Sequence, residues 1–390
     1  MNTTNPDVAL APCPDYEPAL CRAALEKVVS AAGGLDWVKP GMRIGIKANL
    51  VSMMKPEAAA TTHPELLKAL VDMIKERGAE PVVGDSPGGL YNAVYVGHVY
   101  HAAGMHLTGA ALNDDYSTRE VTLPGAVAAK TATVTGWLLG CDGIINFCKL
   151  KSHGMMGMSA AAKNLFGTIP GTMKPEYHYR YPNPMDFANM LVDLDEYWKP
   201  RLHLVDAVTA MEGNGPTAGT PRHVGCVLAG ENPHKIDLLC AKLIGLEPKL
   251  IPTLVAAMDR GLCPERVEEL SVEGPWQDFL MTDFELVKER TGLQFQSLMG
   301  GGKVGELFSK FAGRVIAARP KVNRDECVGC KKCYEICPAK AITMKNKRPS
   351  IDRKKCIRCF CCQEFCPKGA MKVSRPPVAR ILVKSGEKRR

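Results

Sequence analysis

The run CVGCKKCYEICP carries Cys327, Cys330, Cys333 and Cys337 and ends on Pro338. It recurs 29 positions later as CIRCFCCQEFCP, with Cys356, Cys359, Cys362 and Cys366 ahead of Pro367. Three thiolates on one tight loop reach three irons of a cubane, and a fourth points away to complete a neighbouring cubane. The spacing therefore puts Cys327, Cys330, Cys333 and Cys366 on one [4Fe–4S] cluster. Cys356, Cys359, Cys362 and Cys337 hold a second. Zinc also takes four ligands per site, but the paired C-x2-C-x2-C-x3-C-P runs argue against it. Cys361 lies outside the pattern and reads as a packed free thiol.

In these residues the chain resembles the bacterial two-cluster ferredoxin family, over roughly its last fifth. The resemblance implies clusters close enough for fast electron hopping. Nine of the 16 cysteines fall between Cys327 and Cys366, and seven are scattered elsewhere. The start, MNTTNPDVAL, has no basic segment followed by an apolar run. No stretch approaches the ~20 apolar residues of a membrane helix. Metal ligation, a cytoplasmic location and no membrane span are the expectations.

Charge is uneven along the chain. Residues from Lys321 to Arg390 hold 20 Lys and Arg against 6 Asp and Glu, while the remainder holds 30 against 35. The formal charge of +9 therefore belongs to the C-terminal segment. A single-strand nucleic-acid binder would interleave aromatics among the basic residues, and these are sparse, so no nucleic acid is expected. Docking within the chain or onto an acidic redox partner is one reading of the basic module. A solvated basic surface is the other.

The longer N-terminal part alternates helix and strand patterns. ALCRAALEKVVSAAGGL reads as an amphipathic helix, and GMRIGIKANLV as a buried strand. HPELLKALVDMIKERGA reads as a helix, with Pro64 in its first turn and Gly78 at its end. EPVVGDSPGG, CDGIINFCKLKSHG and RLHLVDAVTAMEGNGPTAG read as strands that break into polar loops. GCVLAGENPHKIDLLCAKLIG reads as strand, turn and helix. The predicted class is α/β, a mostly parallel sheet with helices on both faces, plus a small α+β two-cluster module. The predicted divisions are residues 1–250 for the α/β domain, 251–320 for a subdomain and linker, 321–375 for the ferredoxin module and 376–390 for a basic tail. SLMGGGKVGELFSKFAGRVIAARP reads as a hinge feeding that module.

The stretch KLKSHGMMGMSAAAKNLFGTIPG, from Lys149 to Gly171, holds three lysines, a histidine and four glycines with no acidic residue. Lys149, Lys151 and His153 would leave the sheet at the end where α/β folds bind ligands. Free N–H groups from Gly154 to Gly157, opening the following helix, favour negative charge. Lys163 and Asn164 reach the same place if that helix runs along the crevice. An anion site for a carboxylate, phosphate or enolate-like oxygen is expected, against a basic solvent face. Lys47 and Asn49, Asp85 and Ser86, Asn146, Asp206, Glu212 and Asn214 follow the apolar runs of their strands and are the candidate crevice residues. His63 is either a ligand or acid–base residue or a turn residue. Neither GDSPGG nor EGNGPTAG matches a nucleotide fingerprint.

IKANLV, TTHPEL, VVGDSPGG, IINFCKLKSHGMMGMSAAAKNLFGTIPG and VDAVTAMEGNGPTAG together resemble domain-of-unknown-function family 362. The resemblance runs from about Asp15 to about Gly245. It implies an iron–sulfur protein with a shared pocket built from these motifs, and no particular reaction.

The expected function is iron–sulfur electron transfer. The leading form is an oxidoreductase that passes electrons between two [4Fe–4S] clusters and an anionic small molecule or further cofactor in the crevice. Lys149, Lys151, His153 and Lys163 would bind the anion and assist chemistry. The alternative is a carrier or assembly factor that binds a partner without turnover. A third is a non-redox enzyme with structural clusters.

Overall fold

The computed structural model describes residues 5–287 and 319–374. Strand β1 (Val8–Pro12) leads into α1 (Pro18–Ala31). Strand β2 (Arg43–Lys47) is followed by α2 (Pro64–Lys75) and then β3 (Glu80–Gly84). Pro64 opens α2, where a missing N–H costs nothing, and His63 Nδ1 caps Glu65 N. Helix α3 (Ala93–Ala102) precedes the short strand β4 (Ala111–Leu112). Strands β5 (Thr118–Thr122) and β6 (Thr131–Thr135) pair apart from the main sheet.

Strand β7 (Gly143–His153) folds back through β8 (Gly157–Ser159). Then come α4 (Ala161–Asn164), α5 (Lys174–Arg180) and α6 (Pro184–Trp198). Strands β9 (Leu202–Glu212) and β10 (Thr220–Gly230) are followed by α7 (Pro233–Leu243), α8 (Pro252–Asp259) and β11 (Val272–Glu273).

The main sheet runs β11-β1-β10-β9-β7-β2-β3-β4, with β8 beside β7. The pairs β2–β3, β2–β7, β7–β9, β3–β4 and β1–β11 are parallel. Strand β10 is antiparallel to both neighbours. Apolar residues of α1, α2 and α3 cover one face. Those of α7 and α8 cover the other. This is the α/β class that the sequence pattern predicts. One detail differs: β9 returns directly into β10 without a crossover helix, because EGNGPTAG forms the connection between two antiparallel strands.

In the C-terminal module β12 (Arg319–Val322) pairs with β15 (Met371–Ser374), and β13 (Ile342–Lys345) with β14 (Arg348–Ile351). Helices α9 (Lys332–Glu335) and α10 (Cys361–Glu364) occupy equivalent places in the two halves. Its own apolar core is small, centred on Cys333, Ile342, Cys362 and Met371. Phe360 supplements it by inserting among Met155, Met156, Phe166 and Trp198 of the α/β part. The expected hinge falls, apart from Arg319 and Pro320, outside the described residues, as does the basic tail. Among the described residues no helix is long and apolar enough to cross a membrane.

Candidate functional site

Strand β7 brings the basic residues together. Alternate residues of a strand share a face, so Lys149, Lys151 and His153 start out aligned. All three are buried. The register against β9 shifts between Lys149 and Lys151. Such an irregularity re-aims side chains, and these two lysines do reach different partners. Lys149 Nζ lies 2.5 Å from Asp206 Oδ2 and donates to Tyr16 OH and Thr209 O. Tyr16 in turn donates to Asp206 Oδ1 at 3.0 Å and stacks on His63 at 3.5 Å. Lys149 is therefore locked in a closed ion-pair cluster, and His63 belongs to its wall.

Lys151 pairs with no carboxylate among the described residues. It donates to Asn49 Oδ1 at 2.5 Å and Ala60 O at 2.8 Å. Burial, followed by the charge of Lys163, pushes its ammonium down to about 7. Lys163 has the Phe166 ring 5.5 Å away and no hydrogen bond or ion pair among the described residues. Burial lowers its pKa as well. Lys174 donates to Ser86 O, and burial brings it down to about 8.

These three lysines line one cavity of about 650 Å³, measured with its open mouth. Asn49, Asp85 and Asn164 add polar groups, and Phe166 and Phe365 add apolar walls. His178, stacked on Phe187 at 4.3 Å, closes another side. Burial lowers its pKa to about 3, so it is neutral. Among the described residues its Nδ1 is buried without a hydrogen bond, which leaves a polar atom for a ligand or water.

Supporting residues explain the cavity's shape. Lys47 Nζ pairs with Asp85 Oδ1 at 2.6 Å, fully buried. A Cβ at Gly167 would strike both members of that pair, so only glycine fits there. Asn146 accepts from Asn164 Nδ2 at 2.7 Å and is itself held against His203 and Ala161 O. It orients Asn164 from behind. Ser86 Oγ accepts from Gly171 N and pins the loop after α4.

Several predicted residues stand elsewhere. Glu212 turns away to accept from Glu285 N at 2.8 Å. Asn214 accepts from Gln363 Nε2 at 3.2 Å through both its backbone and side-chain oxygens. The proposed helix N-terminus is not free. Helix α4 has four residues, and Asp237 takes the N–H groups of Ala161 and Ala162. The N–H groups of Met155 and Met156 go to His153 Nδ1. The lysine side chains, rather than backbone N–H groups, carry the positive character.

Because His153 Nδ1 accepts, the neutral ring carries its proton on Nε2, which lies 3.1 Å from Glu364 Oε1. Burial and then Lys163 hold His153 near 4. Glu364, Phe365, Lys174 and His178 escape a reading of the sequence alone. Lys174 and His178 lie on a separate helix. Glu364 and Phe365 sit inside a ligand motif, and nothing local signals that they face another domain.

The cysteines fall into two groups. Cys327, Cys330, Cys333 and Cys366 line one cavity of about 360 Å³. Cys337, Cys356, Cys359 and Cys362 line another of about 330 Å³. Four thiols per cavity, crossed between the two halves, fit the donor set of an iron–sulfur cubane. All 16 cysteines are free of disulfides, and Cys361 is buried outside both sets.

A 4Fe-4S dicluster domain model matches residues 319–367. A thylakoid-associated protein of Synechocystis sp. is 32% identical over 267 residues, covering 67% of this chain and 81% of that one. Two solved structures overlap more distantly. The lactate racemase apoprotein of Thermoanaerobacterium thermosaccharolyticum has 12% identity and a TM-score of 0.39, over 61% of this chain and 57% of its own. A Thermotoga maritima protein has 15% identity and a TM-score of 0.34, over 50% and 51%. The chain thus spans little more than half the length of either. The family model described as domain of unknown function (DUF362) matches residues 44–242, and the chain belongs to that family, joined here to an iron–sulfur domain.

Proposed function

We propose that this protein is a two-cluster [4Fe–4S] oxidoreductase acting on a small anionic molecule in the lysine cavity. One observation carries the reading. The cavity wall Glu364–Phe365 lies in the chain between the cysteines Cys362 and Cys366. An anion there would sit beside the segment that holds both clusters, a short path for an electron. The clusters supply one-electron chemistry when bound.

The chain's own residues supply the rest. Lys151, Lys163 and Lys174 hold the anion, and Asn49 and Asn164 orient it. Phe166 and Phe365 keep water away, which strengthens each charge contact. Lys151 and Lys174 titrate near neutrality and are suited to give a proton to a reduced product. Lys149 has a supporting role through Asp206. His153 holds Met155 and Met156 in place and meets Glu364. The cytoplasm is the matching compartment, given the unpaired cysteines.

Anaerobic purification tests the composition. We expect about eight irons and eight acid-labile sulfides per chain. Stoichiometric zinc in their place would sink the reading. An organic group released on denaturation would add a further cofactor to the cavity.

The cavity also predicts a pH signature. Lys151 and Lys174 bind an anion best as ammonium ions, with pKa values near 7 and 8. Affinity for a small carboxylate should therefore be level below about pH 6 and fall as pH rises through 7 and 8. Binding at pH 8 should take up protons, since the anion raises both pKa values. Calorimetry in buffers of different ionisation heat reads this uptake. Proton release, or affinity that climbs with pH, would contradict the assignment.

The runner-up is a carrier or assembly factor that binds without turnover. The Lys149–Asp206 cluster favours it, because those groups are already satisfied by each other. A cluster spectrum unmoved by every cavity ligand would select it.

A further inference from the structure

The 29-residue repeat allows the two halves of the iron–sulfur module to be compared position by position. Phe360, Cys361 and Gln363 correspond to Lys331, Lys332 and Tyr334. Phe360 and Lys331 share even their backbone, each preceding its helix at a φ near +60° to +70°. Their surroundings are opposite. Phe360 is 1% exposed in the α/β core, and Gln363 is tied to Asn214 and Gly215. Tyr334 is 51% exposed and Val328 62%. Lys331, Lys332 and Cys330 are exposed too. The same geometric face is thus used once to dock the α/β part and left open once.

The open face has a definite chemistry. Val328 and Tyr334 give two apolar contacts beside the thiols of Cys330 and Cys333. Lys331, Lys332 and Lys368 rim the same cysteine-lined cavity. Lys347 lies close by, with its backbone against Gly329. From Arg319 to Ser374 there are fifteen Lys and Arg against five Asp and Glu. Glu326 is already paired with Lys372 at 2.9 Å. An apolar centre with a basic rim suits a protein with an acidic rim around its own redox centre.

We propose that Val328, Lys331, Lys332, Tyr334, Lys347 and Lys368 form the docking surface for a small acidic one-electron carrier protein. The inference rests on the two-cluster reading. The reduced carrier loses one electron, and the cluster on Cys327, Cys330, Cys333 and Cys366 gains it. No bond or proton changes hands. The cysteines are thereby divided into an outer set that meets the carrier and an inner set in the half that packs against the α/β part.

The test uses the full-length, cluster-loaded protein and an acidic [2Fe–2S] ferredoxin as probe. Iron content and the spectrum after dithionite reduction first establish both clusters without the probe, so a failure there concerns the underlying reading alone. Calorimetry then measures probe binding at rising salt, and stopped-flow absorbance measures electron transfer. We expect binding to weaken steeply with salt. The double change Lys331→Glu with Lys332→Glu should weaken binding and slow transfer about tenfold or more. It should leave dithionite reduction intact. Lys354→Glu with Lys355→Glu makes the same charge change on the inner half and should alter binding by less than about twofold. If Lys331→Glu disturbs the cluster, Lys347→Glu with Tyr334→Ala serves instead, and about a threefold loss is expected. Equal effects of the inner and outer pairs, or no effect of either, would overturn the proposal.

Discussion

Asp206→Ala lowers the unfolding free energy by about 3–5 kcal/mol, because it leaves the Lys149 ammonium buried without its counter-ion. The pair is fully buried at 2.5 Å, and Asp206 also takes Tyr16 OH and the backbone N–H groups of His63 and Val208. Lys149→Met removes the other charge. It should cost less than Asp206→Ala, since several of Asp206's hydrogen bonds survive. The joint Lys149→Met, Asp206→Ala variant should lose less than the two single losses added together. Denaturant melts of all three against the parent check the order. Additive losses would mean that the ion pair contributes nothing as a pair.

Phe360→Ala should cost about 3–5 kcal/mol of packing between the iron–sulfur module and the α/β part. Phe360 is 1% exposed and touches the cluster of Met155, Met156, Phe166 and Trp198. Its removal leaves Gln363, the His153–Glu364 contact, the Thr217 hydroxyl on Glu364 O and Val373 among those that hold the inner face. The expected result is unchanged iron content with faster proteolytic separation of the two parts. Cavity-ligand affinity should fall as well, because Glu364 and Phe365 form one wall. Unchanged proteolysis and affinity would show that Phe360 does not secure the module. Loss of iron alone would show that its role lies inside the cluster loop.

Sequence by itself determined the two ends of the problem. The x2-x2-x3 repeat sorts its eight cysteines by spacing into the two sets of four that line separate cavities, the arrangement a cubane's thiolates would need along a loop. The α/β class is also local information. Apolar runs of strand length, Pro64 at a helix start and Gly78 past its end are each read within a few residues. The basic stretch was visible as composition, and Lys151, Lys163 and Asn164 do meet in one cavity.

Tertiary structure decided which charges are free. Lys149 and Lys151 are two residues apart and look equivalent in sequence. A register shift sends one to Asp206 and the other to Asn49. Glu212 lies on β9 as Asp206 does, yet turns to Glu285 N. The helix N-terminus that suggested an anion site is filled by Asp237, 76 residues farther along. Most telling is the wall contributed by Glu364 and Phe365. Their repeat partners, Glu335 and Ile336, carry similar local patterns and have no place in the lysine cavity. Burial and charge pairing depend on which surfaces meet in space, and no spacing along the chain encodes that meeting.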